Sequence, residues 1–109
     1  MKQRKILHTN RYGAGWTSWA WDVTKDQKRF MLEYQPFIQH LEAGLTLTEK
    51  HPLADLFVRE WNAAFPGVDV PCLGGIPSLV VKTFPAGTLV RIEECEGEET
   101  VHPLNDEWL

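Results

Sequence analysis

The chain has 109 residues, 43% of them hydrophobic and 24% charged, with a formal net charge of -4. That length suits one compact domain, residues 1–109, and excludes two ordinary ones; the acidic balance argues against a protein that works by neutralising many nucleic-acid phosphates. No segment approaches the roughly 18 consecutive apolar residues of a membrane span, and Ile6-Leu7 is too short an apolar run for a signal-peptide core, so the expectation is a cytoplasmic protein with neither nucleic acid nor membrane as partner.

The chain opens with a strand over Arg4 to Thr9, ended by Asn10 and by the backbone freedom of Gly13 and Gly15. The loop that follows, NRYGAGWTSWAWD from Asn10 to Asp22, holds Trp16, Trp19 and Trp21. From Lys25 the period turns helical, with Phe30, Tyr34, Phe37, Ile38, Leu41 and Leu45 on one stripe. Pro36 removes a backbone donor and predicts a break near Tyr34 to Pro36, with Gly44 as the terminal cap. A second helix starts at Pro52, buries Leu53, Leu56, Phe57, Trp61, Ala64 and Phe65, and stops at Pro66-Gly67. VDVPCLGGIPS is an irregular connection. SLVVKTF and TLVRIEEC, flanking Ala86-Gly87, read as a hairpin; Glu96-Gly97 turns into a third short strand, Glu99 to His102. Trp108 and Leu109 suggest a tail that docks. The expected class is α+β, a mostly antiparallel sheet of about four strands with two helices packed on one face.

Charge is segregated along the chain. From Met1 to Phe30, Lys2, Arg4, Lys5, Arg11, Lys25, Lys28 and Arg29 meet only Asp22 and Asp26; after Val90, Arg91 meets Glu93, Glu94, Glu96, Glu98, Glu99, Asp106 and Glu107. Pairing of the basic first strand with the acidic C-terminal strands is the simplest reading; an acidic tail for a partner, or the same pairing between two subunits, are alternatives.

No catalytic constellation stands out. Gly13-Ala14-Gly15 lacks the third glycine and the βαβ unit of a dinucleotide fingerprint. His8, His40, His51 and His102 share no ligand spacing, so no metal or cofactor is expected. Cys72 and Cys95 lack any C-x-x-C pattern and are expected as reduced, buried thiols, with a disulfide between them as the lesser alternative. The run Glu93, Glu94, Glu96, Glu98 and Glu99 reads as a solvated edge. The aromatic loop is different: three tryptophans and Tyr12 cannot all point inward from so short a stretch. Core packing for some and ligand or partner contact for others are compatible, since tryptophan beside arginine suits stacking on a planar, charged molecule.

NRYGAGWTS, Asn10 to Ser18, and LVVKTFPAGTLVRIEE, Leu79 to Glu94, resemble segments of small phage- and prophage-encoded proteins of uncharacterised function, although this chain has Gly-Ala-Gly in place of adjacent glycines. The resemblance implies origin in a phage or mobile element, and so action in host cytoplasm, where small non-enzymatic proteins often bind a host protein or sequester a nucleotide-derived immune signal. The expected function is binding of a nucleotide-like small molecule by Asn10, Arg11, Tyr12, Gly13, Gly15, Trp16, Thr17, Ser18 and Trp19, with Gly74 and Gly75 as a second glycine loop. Replacing Trp16 or Arg11 is expected to weaken binding without unfolding. A protein inhibitor of a host enzyme is the alternative, and a small enzyme acting on a nucleotide the third reading. A homodimer or higher homo-oligomer is expected, because a short sheet and five tryptophans leave apolar surface to cover.

Overall fold

Ile6 and Leu7 are consecutive and both fully buried; since neighbours on a strand point to opposite faces, both faces of this strand must be covered. The computed structural model, which describes residues 3–103, shows how. Strand β1 (Gln3–Thr9) pairs antiparallel with β2 (Leu79–Pro85), in a register running from Gln3 opposite Pro85 to Thr9 opposite Leu79. Leu7 enters a large core shared with the helices, whereas Ile6 enters a smaller one with Leu32, Phe84 and Val101. Val90 and Ile92 complete the smaller core. They belong to the hairpin of β3 (Val90–Cys95) and β4 (Glu98–Pro103).

The fold is therefore α+β, with four antiparallel strands among the described residues, arranged as two two-stranded sheets. The Pro85–Leu89 region does turn, with the Thr88 amide donating to Pro85 at 3.2 Å. The strands it joins nevertheless do not pair: β2 takes β1 as its neighbour and β3 takes β4. Ile6 and Phe84 on the second face of β1–β2 explain this correction, because the β3–β4 hairpin covers them with Val90, Ile92 and Val101 by lying across that face rather than extending the edge.

Three helices among the described residues line the large core around Leu7. α1 (Lys25–Leu32) starts at a reciprocal cap, where Thr24 Oγ1 accepts from the Gln27 amide at 3.2 Å and Gln27 Oε1 from the Thr24 amide at 2.8 Å. The predicted break falls at Pro36: α1 stops at Leu32 and α2 (Gln35–Glu42) begins with Tyr34 as cap and proline in its first turn. Gly44, at φ 78°, ends it. α3 (Pro52–Ala64) is capped by His51, whose Nδ1 accepts from the Leu53 amide at 3.1 Å. Phe37 and Phe57 stack with centroids 5.5 Å apart between α2 and α3.

Several expectations change. Arg4 and Lys5 pair with Glu33, which caps the end of α1, and Glu42 of α2 at 2.6 and 2.8 Å, so the basic strand is matched by acids of the helical layer rather than by the acidic hairpin. Leu45, past Gly44, is exposed because the helix has already ended. Cys72 and Cys95 are free and exposed, Cys72 on the irregular connection and Cys95 at the hairpin tip, where no second layer reaches them. The proposed docking of Trp108 and Leu109 lies outside the described residues. No helix among the described residues is long and apolar enough to cross a membrane.

Candidate functional site

The loop from Asn10 to Asp22 is fastened at several points. Its start is held by the Asn10 amide on the Ser78 carbonyl at 3.1 Å, and its middle by the Gly13 amide on the Glu96 carbonyl at 2.8 Å. Gly13, at φ 123°, takes a conformation that a side chain would resist. Trp16 drops out of the loop into the large core: its indole lies 5.4 Å from Phe57 and 6.1 Å from Phe37, and its Nε1 donates to the Met31 carbonyl at 2.8 Å. A single 3-10 turn, Thr17–Trp19, follows.

Beneath the turn sits one carboxylate. Glu99, only 2% exposed, accepts at Oε1 from the Thr9 amide at 3.0 Å. At Oε2 it accepts from the amides of Trp16 and Ser18 at 2.8 and 2.9 Å and from Ser18 Oγ at 2.5 Å. The backbone around it is tied too, with Thr9 Oγ1 donating to Gly97 at 2.6 Å and His8 Nδ1 donating to the Glu99 carbonyl at 3.1 Å. An ionised carboxylate accepts about four hydrogen bonds and donates none, so this environment fulfils its capacity. Burial without these donors would be prohibitive.

Glycines let the neighbouring segments close in. A Cβ on Gly75 would come within 2.6 Å of the Gly15 carbonyl oxygen and 3.0 Å of Thr9, and one on Gly97 would overlap Gly13. Gly74 packs against Ala14. The two glycine loops predicted from sequence are thus brought together, but backbone to backbone, with no space between Gly15 and Gly75 for a ligand.

The residues expected to bind therefore divide. Gly15, Trp16 and Thr17 are buried, and Ser18 is spent on Glu99. Trp16 in particular is a core residue, so its replacement cannot be a silent test of binding; the expectation that it leaves folding intact is corrected by its burial. Asn10, Arg11, Tyr12 and Gly13 are exposed, as are Trp19 at 40% and Trp21 at 82%. Trp19 leans over Gly15, whereas Trp21 precedes Asp22, a residue at φ 60°, and stands out from the body. Tyr12 is 67% exposed.

Glu99 is the residue that sequence reasoning placed wrongly. As one of five glutamates near a turn it reads as a solvated edge, and Glu93 fits that description, held below its ordinary pKa by the adjacent Arg91 guanidinium. Glu99 differs by parity: it lies two residues from Val101 and so shares that residue's buried face. Grooves of about 290 Å³ beside Leu41, Glu42 and Val81, and of about 270 Å³ beside Arg4, Arg29 and Leu89, lie elsewhere on the molecule. Among the described residues, no three of His, Cys, Asp and Glu gather as a metal site. No protein-family model, curated protein or solved structure matches this chain.

Proposed function

We propose that this protein is a small binding protein that engages another protein through Tyr12, Trp19 and Trp21. The observation that carries the reading is the combination of exposed aromatic rings with a backbone fastened by Glu99. Large aromatic side chains bury much area for little conformational entropy, and a fixed backbone spares the ordering that flexible loops require on binding. The resemblance of residues 10–18 and 79–94 to phage-encoded proteins supports a host protein, such as an enzyme it would inhibit, as the partner, met in the host cytoplasm.

Stacking of a nucleotide-derived molecule on Trp21 or Tyr12 beside Arg11 is the second reading, supported by that grouping in sequence. Its weakness is the phosphate. Backbone amides are the usual cradle for one, and those of Trp16 and Ser18 already serve Glu99.

We also propose a homodimer, supported by the four strands, each of which has a strand neighbour on one side only among the described residues. Light scattering over a range of concentrations tests it, and a monomer mass throughout would exclude it.

For the main reading, the wild type and Tyr12→Ala and Trp21→Ala variants are used as baits in host lysate. A stoichiometric protein retained by the wild type and lost from both variants, with unchanged melting temperatures, is the expected result. Partners that bind all three equally would refute it, and a thermal shift with nucleotides would favour the second reading.

A further inference from the structure

We infer that Glu99 is the positioning residue of the aromatic contact loop, an internal anion around which the loop backbone is shaped, and that removing its side chain leaves a nest that takes a free carboxylate in its place. The inference deepens the protein-binding reading and rests on it for its functional half; its structural half stands alone.

The donors come from two separate stretches. Thr9 is the last residue of β1, while Trp16 and Ser18 belong to the loop and its 3-10 turn. Glu99 spans the two, one oxygen to each side, from a third element, β4. Among the described residues no lysine or arginine hydrogen-bonds the carboxylate; the donors are three amides and a hydroxyl. Such a set recognises the two acceptor oxygens of a carboxylate rather than charge in general. Side chains of similar size do not substitute. A glutamine offers one oxygen, and its NH2 would face either the Thr9 amide or the loop donors, setting donor against donor. An aspartate is one methylene shorter and cannot span both sides from the same backbone position.

The loop's other attachments would persist without Glu99: Asn10 to Ser78, Gly13 to Glu96 and the Trp16 indole to Met31 do not involve it. What would be lost is the path of residues 16 to 18, which sets where Trp19 and Trp21 emerge. Loss of Glu99 therefore misplaces the contact surface while the aromatic core between α2 and α3 remains.

The experiment uses Glu99→Ala with added formate, the smallest carboxylate, and chloride as an ionic-strength control. Amide exchange at Trp16 and Ser18 reports the nest; affinity for the captured partner reports the surface. Glu99→Ala is expected to lose exchange protection at both amides and to bind the partner about tenfold more weakly or worse. Formate, but not chloride, restores both, with no effect on the wild type. Glu99→Gln, whose side chain still fills the nest, loses protection either at the Thr9 amide or at those of Trp16 and Ser18, without formate rescue. Protection retained in Glu99→Ala, or no response to formate in a folded variant, would overturn the inference. Should Glu99→Ala fail to fold, full protection of the Thr9, Trp16 and Ser18 amides together in Glu99→Gln would overturn it equally. If no protein binds the wild type through Tyr12 and Trp21, the function proposed above fails, while the exchange and formate readouts still decide the role of Glu99.

Discussion

Glu99 Oε2 and the amide of Trp16 meet at 2.8 Å across 83 positions of chain, joining the last strand to the loop that follows the first. Through this bond the carboxylate orders the same residue whose indole fills the centre of the core. With the Gly13 and Thr9 bonds to the Glu96-Gly97 turn it ties β4 to the loop, and perturbing either partner should be felt by both.

Trp16 and Trp21 should respond to substitution in opposite ways. Trp16→Ala empties a fully buried aromatic position and leaves the Met31 carbonyl without its donor, so a loss of about 3–5 kcal/mol is expected. Trp21→Ala, on the surface, should change stability by no more than about 0.5 kcal/mol. Urea unfolding followed by circular dichroism compares them. Equal losses would contradict the placement of the two rings.

Gly97 and Gly87 both have positive φ, at 89° and 81°, but differ in surroundings. A Cβ on Gly87 meets nothing within 4 Å, whereas one on Gly97 would overlap Gly13. Gly87→Ala is expected to lose about 1 kcal/mol, the backbone penalty alone. Gly97→Ala should lose clearly more, about 2–4 kcal/mol, because it also drives the aromatic loop off the hairpin. Chemical denaturation of the two variants measures the gap, and similar losses would mean that the loop and hairpin are not in contact.

Glu96 shares the hairpin turn with Gly97 and is itself left-handed, at φ 51°. Turns with positive φ at both central residues favour asparagine before glycine. Glu96→Asn keeps the backbone carbonyl that Gly13 uses and should raise stability by up to about 1 kcal/mol. A lower melting temperature would show that the Glu96 side chain has a role beyond the turn.

Tyr34 should set an alkaline limit. Burial, followed by its 2.5 Å hydrogen bond to Glu60 and the charge of that residue, raises its pKa well above the ordinary 10.0. Between the two values the unfolded chain releases this proton while the folded chain retains it, so stability is full below about pH 10 and falls as pH rises beyond it. Tyr34→Phe should lose about 1 kcal/mol at neutral pH with the hydrogen bond, yet show a shallower decline above pH 10. A decline as steep as that of the wild type would assign the alkaline loss to another group.

Features that depend on neighbours in sequence were legible before the structure. Pro36 marks the break between α1 and α2, Pro52 opens α3, and Glu96-Gly97 turns the hairpin, each because a local backbone constraint allows few alternatives. Strand pairing was not legible in the same way. The Ala86-Gly87 turn is present, but whether β2 then pairs with β3 or with β1 depends on what covers the Ile6 side of the sheet, a question about residues some 80 positions away. The role of Glu99 was hidden for a related reason. Its partners are mostly backbone amides, which every residue carries, so no side-chain pattern announces them; only its shared parity with Val101 hints that it faces inward.

The way the loop is fastened has a consequence for how this protein can change over generations. Its attachments run through backbone groups, Trp16, Ser18 and Glu99, none of which belongs to the exposed side chains at Arg11, Tyr12 and Trp21. Those three positions can therefore be exchanged with little penalty to the fold, as binding loops on rigid scaffolds are. A lineage facing a shifting target could rewrite what the loop meets while leaving the carboxylate and its amides untouched, and a library randomised at 11, 12 and 21 should yield folded members at high frequency.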